Sequence, residues 1–253
     1  MASASHRGAH PTAVIDPGAE IGEDVEIGPF AVVGAGVRVG AGCRIHAHVV
    51  LEGPLTLGAR NVVHPFAVLG GAPQHKKPGG VTRAVVGDDN TFREHVTVHR
   101  GTREPTCIGS GNLLMAQVHV AHDVRVGSRC TIANGVQLAG HVVVEDHATF
   151  GGLAGVAQFV RVGEGAFVAA GAMVERDVPP FCIVQGDRAR VRAVNRVGLE
   201  RQGVPAESVG EIERIFRAVF ASKRPRAEVL RELSTMDPFA QKLLRALHAS
   251  DHR

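Results

Sequence analysis

The middle of the chain contains a small group of polar residues whose side chains are of the kinds that acid–base catalysis requires. His122 stands beside Asp123, and His141 follows in the next stretch of the chain. An imidazole titrates near neutral pH, so it can take a proton from a hydroxyl that attacks a carbonyl carbon, while a neighbouring carboxylate orients the ring. Because the chain has 14 histidines, this chemistry is predicted only if the fold brings these residues together.

The element that must position them is a six-residue repeat, which dominates the sequence. A spacing of six fits neither the α-helical period nor a simple alternating strand, but it fits a short strand, a corner and the next strand. Three hexads make one triangular coil of about 18 residues, and stacked coils lie about 4.8 Å apart. The sequence therefore predicts an all-β solenoid, a parallel β-helix. The repeated apolar positions are Ile15, Ile21, Ile27, Val33, Val39, Ile45, Leu51, Leu57, Val63, Leu69, Val86, Phe92, Val98, Ile108, Leu114, Val120, Val126, Ile132, Leu138, Val144, Phe150, Val156, Val162, Val168 and Val174.

Two interruptions and a change of pattern define the organisation of the chain. The hexads are broken near residues 70–84 and again at residues 101–106, and loops that leave a regular solenoid commonly carry binding residues. From about Val191 the pattern becomes helical, with helices expected near residues 212–220, 227–234 and 238–249. We therefore expect a β-helix domain over residues 1–190 and a C-terminal helical domain over residues 191–253.

The solenoid also predicts where the polar residues lie relative to one another. His122 and His141 are predicted on the same face of the triangular solenoid in adjacent coils, with His99 one coil below and Gln158 one coil above. His119 directly precedes Val120 and is expected at the preceding corner. A stack of imidazoles beside a carboxylate favours a catalytic stripe over unrelated surface histidines.

Composition argues against several other classes of protein. The chain has no Trp and no Tyr but 31 Gly, which suits a solenoid of small aliphatic residues better than a core of large rings. The four cysteines form no CxxC pair, so we expect free thiols. No segment reaches the ~18 apolar residues of a membrane span, and the first residues lack a signal peptide. We expect a cytoplasmic protein with no transmembrane segment and no nucleic-acid partner.

HVAHD (119–123), AGHV (139–142) and several other stretches resemble the UDP-N-acetylglucosamine acyltransferase family of lipid A biosynthesis. HVAHD followed by AGHV at this spacing is the specific part of the resemblance. It implies a left-handed parallel β-helix and a homotrimer with its active site between subunits. It also implies transfer of a 3-hydroxyacyl group from acyl carrier protein to the 3-position of UDP-N-acetylglucosamine. The matching stretches are VHRGT (98–102), NLLM (112–115), HVAHD (119–123), AGHV (139–142), QF (158–159), DVPPF (177–181), QG (185–186) and VNRVGLERQG (194–203).

The resemblance also implies roles for individual residues. His122 is expected to act as general base, oriented by Asp123, and the backbone N–H of Gly140 is expected to bind the oxyanion, with His141 nearby. Ala170 is expected to limit the length of the acyl chain. No cofactor and no metal are needed for this reaction. The residues expected to bind the substrate are Gln74, His75, Lys77, His99, His119, Gln158, Asn195 and Arg201.

Some positions depart from the family pattern and leave the acceptor open. Members commonly have Gln-Asp-x-Lys in the first interrupting loop, where this chain has Gln-His-Lys-Lys at residues 74–77. Ala157 and Arg188 stand where members have histidines. The acceptor can therefore be UDP-N-acetylglucosamine, its 3-amino analogue or another UDP-sugar.

Other functions remain as alternatives to this interpretation. One is an acetyl-CoA-dependent UDP-amino-sugar N-acetyltransferase, and a less favoured one is a zinc hydratase of the γ-carbonic-anhydrase kind, since three imidazoles can bind Zn²⁺. A sister N-acyltransferase with an added N-terminal domain is disfavoured, because the hexads begin by Ile15. Residues 187–231 contain eleven Lys or Arg against six acidic residues, which is consistent with an acidic carrier protein or with an ordinary helix surface.

Overall fold

The computed structural model describes residues 8–75 and 82–250. Lys77, expected to contact the substrate, lies outside the described residues. Short strands wind along the chain as far as Val194, and helices follow. In chain order the strands are β1 (Val14–Ile15), β2 (Glu20–Ile21), β3 (Glu26–Ile27), β4 (Val32–Val33), β5 (Val37–Val39), β6 (Arg44–Ile45), β7 (Val50–Leu51), β8 (Leu55–Leu57), β9 (Val62–Val63), β10 (Val68–Gly71), β11 (Ala84–Val86), β12 (Thr91–Phe92), β13 (Thr97–His99), β14 (Thr106–Ile108), β15 (Leu113–Leu114), β16 (His119–Val120), β17 (Arg125–Val126), β18 (Thr131–Ile132), β19 (Gln137–Leu138), β20 (Val143–Val144), β21 (Thr149–Phe150), β22 (Gly155–Val156), β23 (Arg161–Val162), β24 (Phe167–Val168), β25 (Met173–Val174), β26 (Cys182–Gln185) and β27 (Arg190–Val194).

The strands form three mainly parallel sheets, because each strand from β1 to β22 pairs with the strand three places later in the chain. Sheet I contains β1 and every third strand to β25, sheet II runs from β2 to β23, and sheet III runs from β3 to β24 and continues into β26 and β27. Sheet I has nine strands, so the solenoid has about nine coils. The predicted parallel β-solenoid is confirmed. The corner between two sheets is named below by both, as in corner I/II.

The hexad explains which side chains form the core. The repeated apolar residue at the end of each strand points inward, as with Ile45, while the residue before it points outward, as with Arg44. A second column of inward-pointing side chains is polar in the middle of the solenoid. There Asn61, Asn90 and Asn112 are buried, and their side chains are hydrogen-bonded to one another at 2.9–3.0 Å. Since each buried amide is hydrogen-bonded, this ladder replaces apolar packing without leaving polar atoms unsatisfied.

The corners determine where the functional side chains project. The second residue of many corners has a positive φ, which non-glycine residues rarely adopt. At corner I/II these residues include Asp123 with φ 61°, His141 with φ 63° and Phe159 with φ 66°. Their side chains therefore leave the solenoid in one column, each above the one before.

Four helices follow the solenoid among the described residues: α1 (Arg196–Arg201), α2 (Ala206–Phe220), α3 (Arg226–Glu232) and α4 (Pro238–Ser250). Val191, where the sequence suggested that a helical pattern begins, still lies in strand β27. This strand runs antiparallel to β26 and covers the edge of β26. The helices have their own core, in which Leu199 and Ile212 pack with Phe181 from the last coil. In the described part of the chain, no helix has the length and apolar character needed to cross a membrane. The four cysteines are free thiols, as predicted.

Candidate active site

His122 and Asp123 lie together at corner I/II, between β16 and β17. Both are buried, with 6% and 4% of their surface exposed. His122 Nδ1 lies 2.7 Å from Asp123 Oδ2. Because the partner atom is a carboxylate oxygen, we assign the proton to Nδ1, which leaves Nε2 as a proton acceptor. The family resemblance implied this pairing, and the geometry is that of a base with its orienting carboxylate.

The second interruption of the hexads surrounds the carboxylate of Asp123. Oδ2 accepts hydrogen bonds from the N–H and the hydroxyl of Thr102, at 2.9 and 2.8 Å. Oδ1 accepts from the N–H of Arg103 at 2.9 Å and of Glu104 at 2.8 Å. The N–H of Asp123 itself donates to Thr106 Oγ1 at 2.9 Å. With His122 included, the carboxylate accepts five hydrogen bonds, three on Oδ2 and two on Oδ1.

These contacts hold Asp123 in its charged form. Burial by itself raises the pKa of the carboxyl, because it disfavours the charged form. Hydrogen bonds from the backbone N–H groups of Arg103, Thr102 and Glu104, and from His122, outweigh burial and bring the pKa well below its usual range. A carboxylate that stays ionised can orient a neutral imidazole and stabilise the imidazolium that proton transfer creates.

Gly140 occupies the corner position one coil above His122, and the imidazole covers it. A Cβ added to Gly140 would lie 2.6 Å from Cε1 and 2.9 Å from Nε2 of His122. The backbone N–H of Gly140 makes no hydrogen bond to any residue that the structure describes. A free N–H close to the basic nitrogen is the arrangement that an oxyanion donor requires.

His141 follows Gly140 and therefore lies above Asp123 rather than above His122. Its Nε2 is 3.8 Å from Asp123 Oδ2, and its ring meets the ring of His122 edge to face at 5.2 Å. On its other side it stacks on Phe159, with the ring centres 4.7 Å apart. Phe159 is mostly exposed and extends the aromatic column one coil further. The sequence analysis included Phe159 in the QF stretch but gave it no role, although the 18-residue register with His141 points to it.

His99 and His119 lie on neighbouring strands of sheet I, β13 and β16, so His119 lies within a strand and not at the preceding corner as predicted. Their rings meet edge to face at 4.9 Å, and His119 Nδ1 is 2.7 Å from Thr97 Oγ1. Burial, followed by the charges of His119 and His122, lowers the pKa of His99 to about 4. Burial, followed by the charge of His122, also lowers the pKa of His119. Both rings are therefore neutral at physiological pH, and the buried Nδ1 of His99 has no hydrogen-bond partner among the described residues.

Gln74 and His75 lie at the end of the described part of the first interruption, and both are exposed. The ring of His75 meets the ring of His122 edge to face at 5.4 Å. Gln158 is exposed at corner I/II, in register with Gly140 and one coil above it. The stripe predicted from counting hexads is therefore one corner of the solenoid rather than one of its faces.

Three of the expected site residues lie elsewhere in the chain. Asn195 caps α1, where its side chain accepts from the N–H of Gly198 and donates to the carbonyl of Gly165. Arg201 ends α1 on the outside of sheet III, and both residues line a groove of about 540 Å³. Ala170 is exposed at corner III/I. None of these three shares the His122 corner within one chain.

His122, Asp123 and His141 also have the types and spacing that hold a metal ion, with one donor atom from each within 4.8 Å of the others. The hydrogen bonds argue for a different use. Both oxygens of Asp123 already accept donors from the loop, and Nδ1 of His122 bonds to Oδ2. A metal ligated by this carboxylate would have to displace those bonds, so the geometry favours an oriented base over a ligand set.

The sequence did not identify the residues that bind Asp123. Thr102 and Thr106 are buried hydroxyls, with 6% and 0% of their surface exposed. The signal was present as a four-residue insertion after His99, which marked the loop as functional. Nothing in the insertion indicates that its N–H groups turn toward Asp123, because that depends on the path of the backbone.

The fold and the oriented histidine together define a hexapeptide-repeat transferase. The model described as bacterial transferase hexapeptide matches residues 18–53 and 106–140, and the hexapeptide repeat of succinyl-transferase matches residues 141–176. A third model, described as UDP N-acetylglucosamine O-acyltransferase domain 2, matches residues 177–253. The repeats account for the solenoid, and the third match covers the end of the solenoid and the helices.

Comparison with known proteins shows the family to which this chain belongs. The chain is 49% identical over 227 residues to the acyl-(acyl-carrier-protein)–UDP-N-acetylglucosamine O-acyltransferase of Alkalilimnicola ehrlichii, covering 88% of each. It is 49% identical over 215 residues to the enzyme of that name from Verminephrobacter eiseniae, covering 83% of this chain and 82% of that protein. The solved structure of LpxA from Acinetobacter baumannii matches with a TM-score of 0.91 at 34% identity, over 96% of this chain and 97% of that one. The chain belongs to the UDP-N-acetylglucosamine O-acyltransferase family. Membership of this family argues against the two alternative functions, the N-acetyltransferase and the zinc hydratase.

Proposed function

We propose that this chain transfers a 3-hydroxyacyl group from acyl carrier protein to the 3-hydroxyl of UDP-N-acetylglucosamine, the first step of lipid A biosynthesis. The relatives are named for both substrates, which supports the reaction. The observation that carries the chemistry is the buried pair of His122 and Asp123, joined at 2.7 Å, with Nε2 of the ring left to act on the substrate.

In the proposed mechanism Nε2 of His122 takes the proton of the sugar hydroxyl as that oxygen attacks the thioester carbonyl carbon. A C–O bond forms, and the carbonyl oxygen becomes an oxyanion that accepts a hydrogen bond from the N–H of Gly140. When the intermediate collapses, the C–S bond breaks and the carrier thiolate receives the proton from His122. Asp123 stays ionised throughout and stabilises the transient imidazolium.

The substrate-binding residues support a site built from two copies of the chain. The groove that holds Asn195 and Arg201 also contains Arg129 and Thr149, which lie in the same coils as His122 and His141 respectively. A rotation axis parallel to the solenoid keeps each coil at its height. The groove of one copy would then face the His122 corner of the next at the right level, which is how a ring of identical subunits closes.

The outer faces of the sheets support the same assembly. Sheet II carries charges outward, including Arg38, Arg125 and Arg161. The outward positions of the described strands of sheet I have no Asp, Glu, Lys or Arg, and they include exposed Val14 and Met173. An uncharged, partly apolar face is typical of a subunit interface. We therefore propose a homotrimer in which sheets I and III meet between neighbours and sheet II faces solvent.

A direct assay tests the proposed activity. The purified protein is incubated with either 3-hydroxyacyl carrier proteins or acetyl-CoA as donor. The acceptor is UDP-N-acetylglucosamine, its 3-amino analogue or another UDP-sugar, and the products are read by mass spectrometry. We expect an O-acyl product from UDP-N-acetylglucosamine and loss of about 10²–10⁴-fold in turnover for His122→Ala. His248→Ala is the matched control, because His248 is exposed in the last turn of α4. An active His122→Ala variant would refute the assigned base, and a product only with acetyl-CoA would refute the donor.

A further inference from the structure

The loop at residues 101–106 is built to bind one anion, and the anion is the carboxylate of Asp123. Three consecutive N–H groups, from Thr102, Arg103 and Glu104, point at its two oxygens at 2.8–2.9 Å. Successive backbone N–H groups that converge on one point form an anion-binding concavity. The loop therefore replaces the water that would solvate this carboxylate at the surface.

The loop keeps this shape only because one of its residues is glycine. A Cβ added to Gly101 would lie 1.7 Å from the carbonyl oxygen of Glu104 and 3.1 Å from Asp123 Oδ1. The loop is also tied to the end of the first interruption, where Thr82 Oγ1 donates to the Gly101 carbonyl and the N–H of Thr106 donates to the carbonyl of Arg83. The two interruptions of the solenoid thus hold each other in place beside the base.

Thr102 is the loop residue that contacts Asp123 through both its backbone and its side chain. Its hydroxyl and its N–H both donate to Oδ2, the same oxygen that accepts from Nδ1 of His122. The hydroxyl fixes the position of Oδ2, and Oδ2 fixes the tilt of the imidazole. Two successive hydrogen bonds that meet at Oδ2 thus join the Thr102 hydroxyl to the ring of His122.

We propose that Thr102 is a positioning residue for the general base, and that residues 101–106 form a loop whose function is to hold Asp123 charged and immobile. The inference rests on the proposed function, since it assumes that His122 takes the proton. It adds a role for residues that touch neither the substrate nor the reacting atoms.

The test compares Thr102→Val, which deletes the hydroxyl at nearly constant shape, with Thr102→Ser, which keeps it. We expect kcat to fall about ten- to a hundredfold in Thr102→Val, with the KM values for both substrates nearly unchanged, and to remain near the parent value in Thr102→Ser. Thr56→Val is the matched control, because Thr56 is exposed on the outside of sheet II. Gly101→Ala, which must open the loop, should lose at least as much kcat as Thr102→Val.

A double-mutant cycle separates positioning from a purely structural role. With Asp123→Ala in place the Thr102 hydroxyl has no carboxylate to fix, so adding Thr102→Val should change kcat by less than about twofold. The inference would be overturned if Thr102→Val lowered kcat equally with and without Asp123→Ala. It would also be overturned if Thr102→Ser lost as much kcat as Thr102→Val. Full activity of Thr102→Val beside an inactive His122→Ala would overturn it while leaving the proposed function intact. An active His122→Ala would refute both.

Discussion

The imidazole of His122 fills the space that any side chain at Gly140 would need. A Cβ at position 140 would lie 2.6 Å from Cε1 of the ring, closer than non-bonded carbon atoms approach. The two residues are equivalent positions in adjacent coils, so the contact follows from stacking. In the proposed mechanism glycine at 140 serves two purposes, since it leaves room for the base and brings a free N–H close to the developing oxyanion.

Gly140→Ala should therefore displace the base while the solenoid stays folded. We expect kcat to fall by about 10²-fold or more, because small misplacements of reacting groups cost that much, with little change in the melting temperature. Steady-state kinetics and thermal unfolding measure the two effects. Gly18→Ala is the control, because Gly18 lies at the same corner near the start of the solenoid, where the nearest atom to an added Cβ is the flexible Asp16 carboxylate. Parent-like turnover in Gly140→Ala would refute the steric argument.

The pKa of His99 predicts how stability depends on pH. Its pKa is lowered from 6.5 to about 4, first by burial and then by His119 and His122. Between these values the unfolded chain binds a proton that the folded protein does not, so the free energy of unfolding decreases as pH falls from 6.5 to about 4. His99→Gln should flatten this dependence, as measured by urea unfolding across that window. His248→Gln is the exposed control, and equal slopes for parent and His99→Gln would contradict the prediction.

Substitutions at Ala170 test whether corner III/I limits the length of the acyl chain. Its side chain is exposed at corner III/I, away from His122 of the same chain, so any contact with the acyl group requires a neighbouring copy. Each methylene that cannot be buried costs ~0.8 kcal/mol, about fourfold in selectivity. We expect Ala170→Gly to shift donor preference toward longer chains and Ala170→Met toward shorter ones, read from competing carrier-protein thioesters. Ala116→Gly, at the equivalent corner position further down, is the control. Unchanged profiles would place the limit elsewhere.

We expect the proposed acidic carrier protein to dock on the arginines of β27. Arg190 and Arg192 are exposed and form no ion pair among the described residues, whereas Arg214 and Arg224 on the helical side are paired with glutamates. We expect Arg190→Glu and Arg192→Glu to raise the KM for the carrier protein about tenfold at low salt, with the difference shrinking as salt screens the charges. Arg38→Glu on sheet II is the control. A KM independent of salt and of these changes would argue against this docking surface.

The sequence by itself determined the fold and which polar residues gather near His122. Each hexad contributes one inward apolar residue, so a period of six fixes the solenoid without any knowledge of long-range contacts. Counting in the same register brought His99, His122, His141 and Gln158 to one side of the solenoid. Regular stacking makes such positions predictable, because each coil repeats the geometry of the one below.

Only the tertiary structure decided how these side chains meet. Counting 18 residues on from His122 reaches Gly140, but only the structure shows how closely the ring lies over the backbone there, because that depends on the conformation of the side chain and of the corner. The insertion at residues 101–106 was visible, but which of its N–H groups point at Asp123 depends on the path of the loop. Asn195 and Arg201 lie on another face because α1 packs back onto sheet III, a contact between distant parts of the chain that no local repeat encodes.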